Sequence, residues 1–433
     1  MKTLHLTKEN KKDILYELQN RSPESFEEQE KIVRTILQDV RERGDEAVLS
    51  YTEKFDGVRL TASDLLVTEE EIAAAYREVD SALPAVIRKA MVRILSYHEK
   101  QKRNSWITTT EDGTMLGVRI LPMERAGVYV PGGKAAYPSS VLMNIVPAKV
   151  AGVDEVIMVT PCGRDGRINP AVLVAASEAG ADRIYRVGGA QAIAALAYGT
   201  ETIPKVDKIV GPGNIYVALA KKAVFGSVSI DSVAGPSEIL VLADETADPR
   251  FVAADLLSQA EHDEMASAVL ITTSRSLAEK VTRETERFLQ VLSRRPIIEK
   301  SLAQYGYILL ADSMDDAVEA ANAFAPEHLE IQTASPLEVM TRIRNAGAVF
   351  LGPYSSEPLG DYFAGPNHVL PTSGTARFFS PLGVDDFIKK SSIIQYSEQA
   401  LRKVHRDIEQ FAVCEQLTAH ANSIAVRFEQ EDQ

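Results

Sequence analysis

The sequence is poor in cysteine, in basic charge and in long apolar runs. Two cysteines among 433 residues cannot form a disulfide framework, and we expect both, Cys162 and Cys414, to be buried free thiols. The formal charge of -14 argues against a nucleic-acid partner. No uncharged apolar run reaches membrane-spanning length, and the N-terminus lacks the apolar core of a signal peptide. These absences favour a cytoplasmic protein with a large packed core.

Only seven histidines occur, yet four of them lie beside acids or amides in the second half of the chain. The segments are Gln259-Ala-Glu-His262, Pro326-Glu-His328, Asp361 with Gly365-Pro-Asn-His368, and Glu415 with Leu417-Thr-Ala-His420. Any one of them alone is more often a solvated helix residue than a site. Together, imidazoles, a carboxylate and a neutral amide suit a metal site beside a proton-transfer pair. The four segments therefore predict a metalloenzyme, whereas the other three histidines are expected at the surface.

From residue 127 the chain alternates short apolar runs with helical segments. This pattern recurs to about residue 352 and predicts parallel sheets covered on both faces. We therefore predict an α/β protein with two Rossmann-like domains, plus helical N-terminal and C-terminal segments. The predicted divisions are an N-terminal extension (1–25), a mainly helical segment packing with the second α/β domain (26–125), a first α/β domain (126–236), a second α/β domain (237–375), and a linker with a helical tail (376–433).

Glycine turns follow three of the predicted strands in the first α/β domain. They read Pro131-Gly-Gly-Lys134, Val187-Gly-Gly-Ala-Gln191 and Gly211-Pro-Gly-Asn214. Such turns place backbone N–H groups and a helix N-terminus at the carboxyl edge of a sheet, where nucleotide phosphates bind. The dinucleotide fingerprint is nevertheless incomplete, because none is a full G-x-G-x-x-G and the acid expected about twenty residues later is not clear. Spacing alone leaves open whether these turns bind a dinucleotide or only reverse the chain.

Several longer runs resemble the histidinol dehydrogenase family. They are Gly127-Val-Tyr-Val-Pro-Gly-Gly133, Val210-Gly-Pro-Gly-Asn214, Ile230-Asp-Ser-Val-Ala-Gly-Pro-Ser-Glu238, Ala253-Ala-Asp-Leu-Leu-Ser-Gln-Ala-Glu-His262, Ala325-Pro-Glu-His-Leu-Glu330, Gly365-Pro-Asn-His-Val-Leu-Pro371 and Leu417-Thr-Ala-His420. The runs occur in the family's order from about residue 30 to the end of the chain. The resemblance implies a zinc enzyme that oxidises L-histidinol to L-histidine in two steps with NAD, the last step of histidine biosynthesis.

The resemblance also implies roles for individual residues. Zinc ligands would be Gln259, His262, Asp361 and His420, and the proton-moving pair would be Glu327 and His328. Further substrate contacts would come from Ser237, His368 and Glu415, and NAD contacts from Tyr129, Gln191 and Asn214. The first α/β domain would then bind NAD, and the second would hold the metal and the catalytic pair. The tail would dimerise and reach into the partner subunit's site.

The tail raises a geometric question. Glu415 and His420 are five residues apart, which places them about 140° apart on an ideal helix. Either the helix is interrupted or the two side chains enter a site from its edge. Two other functions stay open on the residues alone. One is an NAD-independent zinc hydrolase that uses Glu327, against which the glycine turns argue. The other is a non-catalytic two-lobed binding protein, which would not need the Glu327–His328 pair.

Overall fold

The computed structural model describes residues 1–19, 26–132 and 137–429, and these form two compact units. The first unit comprises Met1–Gln101 and Met123–Phe387, and the second comprises Lys102–Pro122 and Ile388–Gln433. The strands are β1 (Lys2–His5), β2 (Trp106–Thr109), β3 (Met115–Pro122), β4 (Arg125–Tyr129), β5 (Glu155–Thr160), β6 (Arg183–Arg186), β7 (Lys208–Val210), β8 (Ser229–Ile230), β9 (Glu238–Ala243), β10 (Ser267–Thr272), β11 (Gly306–Leu310), β12 (His328–Gln332), β13 (Ala348–Leu351) and β14 (Ile388–Gln395). The helices are α1 (Lys8–Gln19), α2 (Glu27–Arg43), α3 (Asp45–Asp56), α4 (Ala62–Leu65), α5 (Glu69–Glu78), α6 (Leu83–Glu99), α7 (Pro138–Ala151), α8 (Pro170–Ala179), α9 (Gly189–Tyr198), α10 (Ile215–Val224), α11 (Pro249–Ala260), α12 (Arg275–Leu289), α13 (Arg295–Tyr305), α14 (Met314–Phe324), α15 (Pro336–Met340), α16 (Glu357–Leu359), α17 (Glu398–Cys414) and α18 (Thr418–Ala425).

The first sheet of unit one is parallel throughout, with the strand order β6-β5-β4-β7-β8. Helices α7 and α8 bury one of its faces, and α9 and α10 bury the other. Its central strands are therefore nearly continuous apolar runs, as expected when both faces of a sheet are covered. The α/β architecture predicted from the alternating pattern is confirmed here. Gly133 and Lys134 of the first glycine turn lie outside the described residues.

The helices of residues 26–99 pack mainly on this first sheet, so their predicted packing on the second α/β domain is wrong. Ile36 of α2 shares an apolar cluster with Ile193 of α9. Ile94 of α6 lies with Met143 of α7 in the cluster on the opposite face. Helix α6 also contacts the second domain, where the Arg93 guanidinium lies 5.3 Å from the Phe363 ring centroid and the backbone of Gly365 packs closely on Arg93 and Tyr97. Helical periodicity identifies a buried stripe, but it does not say which of two similar apolar surfaces covers that stripe.

The second sheet of unit one is also parallel, with the order β1-β11-β10-β9-β12-β13. Its edge strand β1 comes from the predicted N-terminal extension and pairs with β11. Ile14 and Leu18 of α1 join the apolar cluster of this sheet. Residues 1–19 are therefore an integral part of the second α/β domain, which corrects the prediction of a separate extension. Residues 20–25 lie outside the described part of the chain.

The two sheets share one topology, and it places the predicted sites on different edges. Numbered from β4, the strands of the first sheet lie in the order third (β6), second (β5), first (β4), fourth (β7) and fifth (β8). Strands β11-β10-β9-β12-β13 of the second sheet follow the same order when numbered from β9, and β1 adds one more strand beside β11. The glycine turns follow strands of the first sheet at its carboxyl edge, where ligands of such sheets bind. By contrast, Glu238 and His328 are the first residues of β9 and β12. The proton-transfer pair therefore lies at the amino edge of the second sheet.

Unit two contains an antiparallel sheet of order β14-β3-β2 and the two last helices. The predicted linker and tail of residues 376–433 need correction at their start. Short helical turns at Thr375–Arg377 and Val384–Phe387 belong to unit one, and the following residues form β14. Helices α17 and α18 occupy the segment that was predicted to be helical. Among the described residues, no helix is long and apolar enough to cross a membrane.

The tail helix is interrupted between Glu415 and His420. Gln416 adopts a left-handed conformation with φ of 62°, and Leu417 N donates to Ala412 O at 2.8 Å, as in a C-terminal cap of Schellman type. Glu415 ends α17, whereas His420 lies in the first turn of α18. The interruption resolves the angular conflict that a continuous helix would impose on these two residues.

Candidate active site

His328 is held in a single tautomer at the amino end of β12. Its Nδ1 lies 2.9 Å from the carbonyl oxygen of Glu238, and because a carbonyl can only accept, Nδ1 carries the hydrogen. Nε2 is then the acceptor of the neutral ring, and among the described residues it has no hydrogen-bond partner although it is buried. Burial also lowers the pKa of His328, which keeps the ring neutral near pH 7. The ring can therefore accept a proton at Nε2.

Glu327 is buried and exchanges hydrogen bonds with Glu238. The Glu238 amide donates to Glu327 Oε2 at 2.8 Å, and the Glu327 amide donates to Glu238 Oε2 at 3.3 Å. This reciprocal pair links the starts of β9 and β12. Burial, reinforced by the nearby carboxylate of Glu238, raises the pKa of Glu327 well above its usual range. A raised pKa makes this carboxylate a stronger base than an exposed one.

Next to this pair lies a cluster that can hold a metal ion. One ligand atom each of His262, Glu357 and Asp361 lies within 4.8 Å of the others. Gln259, one helical turn before His262 on α11, is fully buried, and neither its Oε1 nor its Nε2 has a partner in the described chain. A buried amide without partners is costly unless a ligand satisfies it. Imidazole, amide and carboxylate donors together fit a divalent ion such as zinc.

Glu357 is a site residue that the sequence did not reveal. Its Oε1 lies 3.6 Å from His262 Nε2, and this contact raises the pKa of His262. A buried polar network fixes its position, because Ser258 Oγ donates to Glu357 Oε2 at 2.7 Å and the Glu357 amide donates to Glu330 Oε1 at 2.9 Å. Gln332 Nε2 in turn donates to Glu330 at 2.9 Å and to Asp255 at 3.0 Å.

A sequence signal for this network does exist. His328, Glu330 and Gln332 alternate along β12, so they share one face of a strand that is otherwise apolar. Alternating polar residues in a fully buried strand indicate a polar partner surface, here supplied by Asp255 and Gln259 of α11. Glu357 itself follows two serines in a short turn and carries no comparable local signal.

Asp361 and His368 lie at the opposite side of the cluster from α11. Asp361 lies in a π-helical turn, a form often found at functional sites, and its Oδ1 is 3.9 Å from His328 Nε2. Burial and the neighbouring Glu357 raise the pKa of Asp361 to about 7. His368 Nδ1 donates to the Asp361 carbonyl at 3.2 Å, which leaves Nε2 as the acceptor for Ser140 Oγ at 3.3 Å. The structure thus brings Glu327, His328, Asp361 and His368 together.

Three predicted substrate contacts remain. Ser237 is half-buried and directly precedes Glu238, and its carbonyl accepts from the Ser267 amide at 3.0 Å. Glu415 and His420 belong to unit two, and both are exposed. Their roles stay predictions.

The predicted NAD contacts line one cavity of about 950 Å³ at the carboxyl edge of the first sheet. Tyr129 ends β4, and its hydroxyl accepts from the Gly189 amide at 3.2 Å. Asn214 caps α10 by accepting from the Tyr216 amide at 3.0 Å. Gln191 is 1% exposed, and both polar atoms of its amide lack partners within the described residues. A large cavity with a buried amide available for hydrogen bonding fits a dinucleotide.

Glycine is required at one of these turns. Gly211 has φ of 110°, and an added Cβ would collide with the backbone carbonyl of Tyr129. A side chain at residue 211 would push the end of β7 away from β4, so the close approach of these two strand ends depends on glycine.

Two predictions about cysteine and histidine need correction. Cys162 is buried as predicted and lines the same cavity, but Cys414 is exposed at the end of α17. His98 was expected at the surface, but it is fully buried, and its Nδ1 donates to the Ile94 carbonyl at 2.8 Å. Charged neighbours along a helix do not reveal which of its faces is covered.

Comparison with known proteins identifies the family. The model of the family described as histidinol dehydrogenase matches residues 19–428. The histidinol dehydrogenase of Bacillus subtilis is 59% identical over 401 residues, which cover 93% of both chains. That of Clostridium acetobutylicum is 58% identical over 398 residues, covering 92% of both. A crystal structure of histidinol dehydrogenase from Elizabethkingia anophelis superposes with a TM-score of 0.94 at 39% identity, covering 100% of this chain and 99% of that one. The resemblance stated from the motifs is confirmed: this chain belongs to the histidinol dehydrogenase family.

Proposed function

We propose that this chain oxidises L-histidinol through L-histidinal to L-histidine, using a zinc-like divalent ion and two NAD in turn. The observation that carries the proposal is His328, whose Nε2 is buried, has no partner in the described chain and is kept unprotonated by the Glu238 carbonyl. This nitrogen lies 3.9 Å from a carboxylate oxygen of the candidate metal cluster. A base beside a metal site is the arrangement that alcohol oxidation needs.

Gln259, His262 and Asp361 would hold the metal, together with His420 from the partner subunit's tail. When bound, the ion supplies positive charge that orients the substrate's imidazole and amine and stabilises developing negative charge. Glu357 would keep the His262 ring in position through the contact between its Oε1 and Nε2. Ser237, His368 and Glu415 would contact the rest of the substrate.

In the first oxidation, His328 Nε2 would take the proton of the alcohol group while the carbon gives up a hydride. The C–H and O–H bonds break, and a C=O double bond forms. The neutral ring is ready for this step because burial lowers its pKa and its other nitrogen is already hydrogen-bonded. The aldehyde stays in the buried site, which protects it from side reactions.

In the second oxidation, Glu327 would take a proton from a water molecule that adds to the aldehyde, while the protonated His328 gives its proton to the aldehyde oxygen and becomes neutral again. The raised pKa of Glu327 makes it a stronger base than an exposed carboxylate. The hydrate then loses a second hydride, while His328 takes the proton from one of its hydroxyl groups. The product is a carboxylic acid, and each oxidation gives two electrons to one dinucleotide.

The first α/β domain would act as a Rossmann-like NAD-binding domain. When bound, NAD supplies the hydride acceptor for both steps. Tyr129, Gln191 and Asn214 would contact the dinucleotide, and the unpartnered amide of Gln191 supports this role. The N-terminus of α9 at Gly189 offers backbone N–H groups to its phosphates. We further propose a homodimer located in the cytoplasm.

The test is to supply purified, zinc-loaded protein with L-histidinol and NAD, and to count NADH and histidine. Two NADH per histidine are expected, and His328→Asn should lower the rate at least 100-fold, since general base catalysis contributes about that much. Product formed without NADH would favour the zinc hydrolase. Binding of histidinol without turnover would favour the non-catalytic binding protein.

A further inference from the structure

The nucleotide cavity lacks an acid where dinucleotide-binding sheets usually have one. In such sheets, an Asp or Glu at the end of the second strand binds the hydroxyls of the adenosine ribose. Counted from β4, the second strand here is β5, which ends at Thr160 and continues into Pro161, Cys162 and Gly163. None of these side chains is a carboxylate, so this position of the sheet cannot supply that contact.

A carboxylate reaches the same place from a different element. Asp56 is the last residue of α3, from the helical segment that precedes the sheet, and it lines the cavity. Cys162 after β5 and Tyr129 at the end of β4 line the same cavity. The Oδ2 atom of Asp56 is buried and has no hydrogen-bond partner in the described chain. Gln191, fully buried and also unpartnered, lines the same cavity.

Among the described residues, no cation forms an ion pair with Asp56. Burial raises the pKa of Asp56 to about 6, and no charged partner offsets that effect. Of the three cationic side chains lining the cavity, Arg167 pairs with Glu78, Lys54 lies over the Phe55 ring at 5.3 Å, and Arg164 lies beside Gly57. Asp56 is therefore an acceptor that favours neutral hydroxyl donors, and a phosphate dianion beside it would meet like charge.

We propose that Asp56 accepts hydrogen bonds from the adenosine ribose diol and thereby selects NAD against NADP. The inference rests on the proposed use of a dinucleotide. NAD carries a 2′-hydroxyl that can donate to the carboxylate, whereas NADP carries a 2′-phosphate that cannot. Asp56, at the end of α3, takes the place of the acid that is missing at the end of β5.

The test is direct binding, followed by the fluorescence of the dihydronicotinamide ring, with NADH, NADPH and 2′-deoxy-NADH. The wild-type protein should bind NADH most tightly, and loss of the 2′-hydroxyl should weaken binding roughly tenfold, the scale of one hydrogen bond to a charged group. Asp56→Asn should bind NADH roughly tenfold more weakly and NADPH more tightly, and, because a neutral amide oxygen is a weaker acceptor than a carboxylate, it should distinguish NADH from its 2′-deoxy form less than the wild type does. Asp56→Ser, which keeps a small hydroxyl, should behave similarly.

The matched control is Asp165→Asn. Asp165 also follows β5, but its Oδ1 accepts from the Arg167 amide at 3.1 Å and it does not line the cavity. This variant should bind all three dinucleotides as the wild type does. The assignment is overturned if Asp56→Asn and Asp56→Ser, folded as judged by circular dichroism, keep the wild-type ratios among the three ligands. Wild-type protein that binds no dinucleotide would instead overturn the proposed function.

Discussion

Replacing Gln259 with methionine should change stability and metal affinity in opposite directions. The Gln259 side chain is fully buried, and both of its polar atoms lack partners within the described chain. Leaving a buried polar group unsatisfied costs about 1–3 kcal/mol. Methionine has a similar shape without that cost, so Gln259→Met should raise the free energy of unfolding of the metal-free protein by about 1–3 kcal/mol. The same change removes a proposed ligand, so it should weaken zinc binding and abolish the stabilisation that zinc gives the wild type.

The assay is urea unfolding followed by far-ultraviolet circular dichroism, with a chelator and then with buffered zinc. Gln332→Met provides the control, because this buried amide donates to Glu330 at 2.9 Å and to Asp255 at 3.0 Å. Its loss removes one donor from each of two buried carboxyl groups and should destabilise the metal-free protein. If Gln259→Met also destabilises it, the Gln259 amide is part of a satisfied structural network and the reasoning fails.

Three further predictions concern catalysis, assembly and pH. Glu327→Gln should slow the oxidation of supplied histidinal about 100-fold and the oxidation of histidinol less, whereas His328→Asn should slow both oxidations. Stopped-flow measurement of NADH formation follows each step, and equal losses of the two rates in Glu327→Gln would contradict the separate roles of Glu327 and His328. If each site combines Asp361 of one chain with His420 of its partner, the Asp361→Ala and His420→Ala homodimers should be nearly inactive. When the two variants are refolded together, half of the dimers are mixed, and each mixed dimer has one intact site of two, so about a quarter of wild-type activity should return. No recovery despite subunit exchange would place His420 in its own chain's site. The folded state raises the pKa of Asp56 from 3.8 to about 6 and therefore binds more protons between these values, so stability should fall as pH rises through this window. Asp56→Asn should remove about 2 kcal/mol of this pH-dependent loss of unfolding free energy, a figure discounted because Asp56 is partly exposed. An Asp56→Asn protein whose unfolding free energy in urea depends on pH as that of the wild type does would refute the prediction.

The sequence by itself determined the architecture and most of the candidate site residues. Strands β7 and β9 are each apolar after their first residue, because both sheets are covered on two faces. Glycine turns after the strands predicted the edge at which the large cavity lies. The spacing of Gln259 and His262 predicted that they lie about one helical turn apart on one face, and the structure places Gln259 in the last turn of α11 and His262 directly after its C-cap. In each case the physical cause acts over a few residues, so it leaves a local pattern.

Only the tertiary structure decided which distant groups meet. The apolar stripe of α2 predicts burial, but the surface of α9 that covers it is far away in sequence. The tautomer of His328 depends on the Glu238 carbonyl, a backbone atom of another strand. Glu357 beside His262, and Asp56 in the cavity that Cys162 also lines, likewise bring together separate elements. Chain topology brings such groups together. Since neither residue of such a contact constrains the residues next to it in the sequence, the contact leaves no local pattern from which it could be predicted.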